Sequence, residues 1–292
     1  MPCLKWRRWL GVSMLMLICV MAAACAADEQ NWPVGAKEVP SVIGNPDEAR
    51  QKEFLAKRTK DDVAEPSGKW FMHNGSGVLG YGLPSGTKRA GETFEVSLFG
   101  HAAEGERLER EVRIRLAESH AEGEPVTIME ESVWVDAVHE RTVIYKGRLP
   151  DKENAVYALH VEIIGEDGEV EDALTSVIDV PVPEINASLQ TEKPVYTREE
   201  NKVKLILKNA GPTRLIFGTP YQLEKKLDGI WRIVPLDHVA FQDIAILIEA
   251  GGVYEEWVDI SGLERGEYRI IKDYSADGLD LQVSMAAEFQ IE

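Results

Sequence analysis

The sequence predicts an all-β protein: two tandem antiparallel β-sandwiches of immunoglobulin or fibronectin type, placed after a signal peptide and a flexible tether. Three observations carry this. From Lys69 onward apolar and polar residues alternate with a period of two, the signature of strands with one dry and one wet face. Gly-, Pro- and Asp-rich turns separate those strands, and Pro181-Val182-Pro183 interrupts the pattern once, where two prolines disfavour a central strand and favour a stiff connector. The chain thus divides into residues 1–24, a signal peptide; 25–68, a processed N-terminus and linker with room for a short helix; 69–184, the first sandwich; and 185–292, the second.

At the N-terminus, Lys5, Arg7 and Arg8 precede an apolar run from Trp9 to Met21. The run is short for a membrane span, which needs about 20 apolar residues, and it ends in small residues. Ala22-Ala23-Ala24-Cys25 resembles the lipobox of bacterial lipoproteins, in which the cysteine thiol is diacylated and becomes the first residue after cleavage. Ala22 stands where that family usually has leucine, and Ala22-Ala23-Ala24 also reads as an ordinary small-x-small cleavage site, so plain secretion stays open. Cys3 and Cys19 lie inside the signal, which leaves Cys25 the only cysteine of the mature chain and rules out an intramolecular disulfide there.

The formal net charge is −18 for the whole chain, and the predicted signal removes only basic side chains. Such a field repels nucleic acid and anionic lipid headgroups, so neither is an expected partner and membrane attachment falls to the lipid anchor alone. The tether is polar, with Trp32, Val39, Val42 and Ile43 as isolated apolar residues. Within it Asn45-Pro46-Asp47-Glu48 offers an N-cap, a proline and early acids, predicting a thin-striped, exposed helix from Asn45 to about residue 60.

In the first sandwich, Phe94, Val96 and Leu98 alternate with Glu95 and Ser97, and Val112, Ile114 and Leu116 alternate with Glu111, Arg113 and Arg115. Further strands are expected at 126–135, 142–148, 157–164 and 170–180, the last two as a hairpin. In the second, Val203, Leu205 and Leu207 face away from Lys202, Lys204 and Lys208, and Asp228-Gly229 between two strands is a type I′ hairpin signal. Strands at 253–260, 267–272 and 281–291 complete it. Tyr157 and Tyr268, each after a polar turn, fit the tyrosine corner of Greek-key sandwiches, and Trp231 is assigned to the core.

The stretch from Leu189 to Tyr196, strand 203–209, the hairpin from Leu223 to Trp231 and Gly266-Glu267-Tyr268-Arg269 together resemble the bacterial Ig-like domain of Gram-positive surface lipoproteins, over about residues 186–292. The resemblance implies a β-sandwich, surface display and no catalytic residue. A looser likeness to Ig-like proteinase inhibitors of the same bacteria rests on the Asp-Gly hairpin and the terminal Tyr-Arg strand.

Motifs for chemistry fail on context. Gly75, Gly77 and Gly80 hold a G-x-G-x-x-G spacing within the run to Gly82, but Leu83-Pro84 follows where a phosphate-binding helix should open. His73, His101, His120, His139, His160 and His238 show no metal-ligand spacing, and Asp273, Asp277 and Asp280 miss the EF-hand pattern, leaving weak calcium binding near Asp277 open. No nucleophile signature occurs, so no catalytic residue, cofactor or metal is expected. The loop 235–248 is unusually apolar, and Val239, Phe241, Ile244 and Ile246 form the candidate interaction patch; the alternative is a loop packed on its own sandwich. The function expected is a non-enzymatic lipoprotein on the outer face of the cell membrane that binds a protein or envelope polymer. The alternatives are secretion and regulation or inhibition of an exported enzyme such as a proteinase.

Overall fold

The computed structural model describes residues 29–58, 63–101, 105–236 and 241–292. The signal peptide and Cys25 lie outside the described residues. In chain order the elements begin with β1 (Val42–Ile43), α1 (Glu48–Arg58), β2 (Gly80–Gly82), β3 (Gly86–Thr87), β4 (Thr93–Phe99), β5 (Glu106–Ser119) and β6 (Val126–Val138). Next come β7 (Thr142–Arg148), β8 (Ala155–Ile164), β9 (Val170–Val180), β10 (Ala187–Thr191), β11 (Val195–Tyr196), β12 (Lys202–Asn209) and β13 (Leu215–Phe217). The chain ends with β14 (Gln222–Leu227), β15 (Ile230–Ile233), β16 (Ile246–Ile248), β17 (Val253–Asp259), β18 (Gly266–Ala276) and β19 (Gln282–Ile291).

These strands build two sandwiches with separate cores. Domain 1 packs the sheet β2-β4-β7 on the sheet β3-β9-β8-β5-β6. The alternating strands put Val96, Leu98, Val112, Ile114, Leu116, Leu159 and Val161 between the sheets. Domain 2 packs β1-β10-β12-β17 on a larger sheet ordered β11-β19-β18-β13-β16, with the hairpin β14–β15 added beside the first half of β18. Asp228 and Gly229 have φ of 51° and 81°, the two left-handed residues that a type I′ turn requires.

The segment expected as a loose tether is instead bound along domain 2. Gly35 N–H donates to Trp231 O at 2.9 Å and Ile233 N–H to Pro33 O at 2.8 Å, so the segment first lies beside β15. It then crosses the outer face of the large sheet, accepts from Ala286 N–H at Pro40 O and from Leu189 N–H at Ser41 O, and joins the smaller sheet as β1 beside β10. Trp32 and Ile43 pack against the domain 2 core. The strap thereby pairs backbone groups on β15, β19 and β10 that would otherwise meet water.

Helix α1 also differs from expectation. Its cap is Asp47, whose Oδ1 accepts Arg50 N–H at 3.0 Å, two residues later than Asn45. Nor is it an exposed spacer, because Phe54 is buried and the helix sits at the junction of the sandwiches. Lys57 Nζ donates to Asn154 O in domain 1 at 2.7 Å, and Gln51 Nε2 to Gly211 O in domain 2 at 2.9 Å. Arg58 spans both, with Asp179 at 3.2 Å and Glu249 at 2.9 Å.

Candidate functional site

Domain 2 buries several charged side chains, Glu224, Lys225, Arg269 and Lys272. Glu224 on β14 and Arg269 on β18 are cross-strand partners on the outer face of the large sheet. They bond at 2.6 Å, yet they are 0% and 1% exposed, because the strap lies over them. Ala36 O accepts from the Arg269 guanidinium, Gln222 donates to Glu224 at 2.6 Å, and the Trp231 ring stacks 4.5 Å from the guanidinium carbon. Trp231 is therefore not the core tryptophan the sequence suggested: its strand, β15, is a hairpin addition that faces it outward against a cation. The strap reaches this close only because residue 35 is glycine, where a Cβ would overlap the Glu224 carboxylate.

A second pair lies between the sheets, where Lys272 Nζ meets Glu256 Oε1 at 2.5 Å beneath the Phe217 ring. Beside the strap is a shallow groove of about 520 Å³, lined among others by Ala36, Val39, Tyr221, Gln222, Asp273 and Ser284.

Domain 1 instead uses acids to hold its first segment. Asp172 accepts the N–H groups of Ser67 at 2.7 Å, Trp70 at 2.8 Å and Phe71 at 2.9 Å. Burial opposes its ionisation, but those N–H groups together hold its carboxyl below the ordinary aspartate value. Neighbouring Glu171 is pulled down to about 2 by the Trp70 indole N–H first, then by Lys69 and Arg110.

The two tyrosines part company. Tyr268 O–H donates to Glu264 O at 2.7 Å, the tyrosine corner as expected, whereas the buried Tyr157 hydroxyl has no partner among the described residues. Burial first, then the Glu118 charge, push the Tyr157 phenol up to about 12.

Of the candidate patch, Val239 lies outside the described residues. Phe241 packs edge-on to Tyr221 at 5.1 Å and stays 37% exposed, and Ile244 is 48% exposed. Ile246 is half-buried in β16 opposite Phe217, packed on the core. The patch is thus split between an exposed loop and a covering strand. The acidic loop near Asp277 is a domain junction: Asp277 pairs with Arg214, a side chain at Gly278 would strike Thr87 of domain 1, and Asp280 lies 3.9 Å from Arg89. Among the described residues no three His, Cys, Asp or Glu side chains group to hold a metal ion. The glycine run at 75–82 forms a tight turn, with His73 and Ser76 exchanging backbone bonds, and leads into β2, not a helix.

The surface that sequence reasoning missed is the edge of the five-stranded sheet. β6 runs 13 residues and ends that sheet, with Val126, Ile128 and Trp134 at 53%, 41% and 62% exposure. It contains no lysine and no proline, the residues that commonly guard an edge. Its composition was legible, but its place at an edge depends on pairing with β5 alone.

The folding pattern defines a tandem immunoglobulin-like β-sandwich protein. Residues 183–290 match the family model of a bacterial Ig-like domain. No curated protein matches the chain. Among solved structures it is similar to the class 5 fimbriae chaperone CfaA, at 12% identity over 72% of this chain and 98% of that one, with a TM-score of 0.36. Red sea bream transglutaminase matches at 11% identity and a TM-score of 0.29, over 73% of this chain and 31% of that one. Native E. coli alpha-2-macroglobulin matches at 10% identity and a TM-score of 0.27, over 79% of this chain and 16% of that one. The chain thus spans under a third of the transglutaminase it matches.

Proposed function

We propose that this protein is a non-enzymatic interaction module, exported and anchored through Cys25 to the outer face of the membrane, that binds an extended, basic segment of a partner protein along β6. The observation that carries the reading is the open edge itself. An unpaired strand offers a row of N–H and C=O groups to a second strand, and main-chain bonds of this kind give affinity while side-chain positions give selectivity. Glu130, Glu131 and Asp136 on β6 favour a basic partner, and Ile128 and Trp134 supply exposed apolar anchors.

The test is membrane crosslinking on intact cells expressing the chain or the double variant Ile128→Lys, Trp134→Lys. A discrete crosslinked partner that is lost in the variant, while its circular dichroism is unchanged, supports the reading. Equal crosslinking by both proteins contradicts it, and loss on Phe241→Ser, Ile244→Ser instead moves the contact to the domain 2 loop.

A further inference from the structure

The strap sets which domain lies nearer to residue 29, where the described chain begins. Its first described residue, Glu29, bonds Lys225 Nζ at 2.8 Å, and Gln30 reaches Asp228 at 3.4 Å, at the tip of the β14–β15 hairpin. That tip belongs to the pole of domain 2 where β18 starts and β19 ends, since Gly266 pairs with Ile291. Domain 1 is attached at the opposite pole: β10 begins there after the proline connector, and Gly278, in the turn between β18 and β19, abuts Thr87. The strap therefore runs the length of domain 2 from its far pole to the junction, where α1 hands the chain to domain 1. The domain that comes first in sequence is the one further in space from Glu29, the first described residue.

Only four peptide steps separate Cys25 from Glu29, a reach of at most about 14 Å. β18 alone, at 11 residues, makes domain 2 roughly 36 Å long. We propose that the pole of domain 2 around Asp228 and Gly229 is the surface that faces the lipid bilayer, and that domain 1 is carried outward as the distal domain. The inference rests on lipidation of Cys25. At this pole Glu264 pairs with Arg198 and Glu267 with Lys226, which cancels attraction to charged headgroups, so the acyl chains hold the pole there. The open β6 edge is then presented away from the membrane, while the strap-covered face is spent on anchorage.

The experiment uses the purified lipidated full chain with one added thiol, because acylated Cys25 has none to label. Asp228→Cys marks the hairpin tip. Glu166→Cys marks the turn between β8 and β9, at the end of domain 1 remote from the connector, where the side chain is 87% exposed. Each is labelled with a donor dye and placed in phosphatidylcholine vesicles carrying an acceptor lipid. With the two sites at least a domain length, roughly 35 Å, apart along the strands, energy transfer from residue 228 is expected to exceed that from residue 166 roughly fivefold. Adding Gly35→Val, which dislodges the strap, is expected to shrink that ratio. Equal or greater transfer from residue 166 in an acylated sample overturns the orientation alone. A mass spectrum without the diacylglycerol adduct on Cys25 overturns the anchor and this proposal together.

Discussion

The two sandwiches share a strand plan and solve their exposed surfaces in opposite ways. Domain 1 has an apolar core and leaves a 13-residue edge strand open. Domain 2 buries two ion pairs, covers one of them with a strap from far upstream, and adds β1 beside β10. A buried pair adds little net stability, but it is costly to break, so it acts as a lock on the arrangement that shields it. Domain 2 holds one arrangement of its covered face, whereas the β6 edge of domain 1 stays open.

Breaking the lock should have the largest effect. Arg269→Ala leaves Glu224 buried without its partner and is expected to destabilise domain 2 by about 3–5 kcal/mol. Calorimetry should show the domain 2 transition falling while that of domain 1 holds; a joint fall would mean that the domains unfold as one. Next comes Gly35→Val, which forces the strap off Glu224 at about 1–3 kcal/mol, seen as new proteolysis near residue 35 with domain 1 intact. The tyrosines sharpen the contrast further. Tyr268→Phe forfeits a hydrogen bond worth about 1 kcal/mol, whereas Tyr157→Phe, which removes a hydroxyl without a partner, should be neutral or slightly stabilising by urea titration.

An acid dependence also acts on domain 1. Glu171 has a folded value of about 2, below an ordinary glutamate value of about 4.3. A group whose folded value is lowered adds stability that is complete above its unfolded value and is lost as pH falls toward the folded one. Domain 1 should therefore weaken between about pH 4.3 and 2, and Glu171→Gln should remove part of that slope in its melting temperature, the rest belonging to carboxyls such as Asp172. An unchanged slope would assign the acid sensitivity elsewhere.

The sandwiches were legible because period two is a local signal, written within each strand: Val112, Ile114 and Leu116 need no distant partner to declare their face. In the same register Lys272 stands in phase with Tyr268, Ile270 and Tyr274 on β18, so its burial was readable, but Glu256, the partner that makes it tolerable, lies on the opposing sheet. The strap was not legible. Trp32, Val39 and Ile43 sit between prolines and polar residues with no period, and the partners of the strap, Arg232 for Trp32 O and Arg269 for Ala36 O, lie 200 and 233 positions away. For the same reason the open edge was hidden, since exposure of β6 follows from sheet order, which alternation does not encode.

Native-state hydrogen exchange on residues 33–43 tests the docked strap most directly. The amides of Gly35 and Ile233, bonded across the strap and β15, should exchange together and far more slowly than an unstructured peptide, and Arg269→Ala should release both. Exchange of Gly35 at the unprotected rate in the intact chain would mean that the strap is not bound to domain 2.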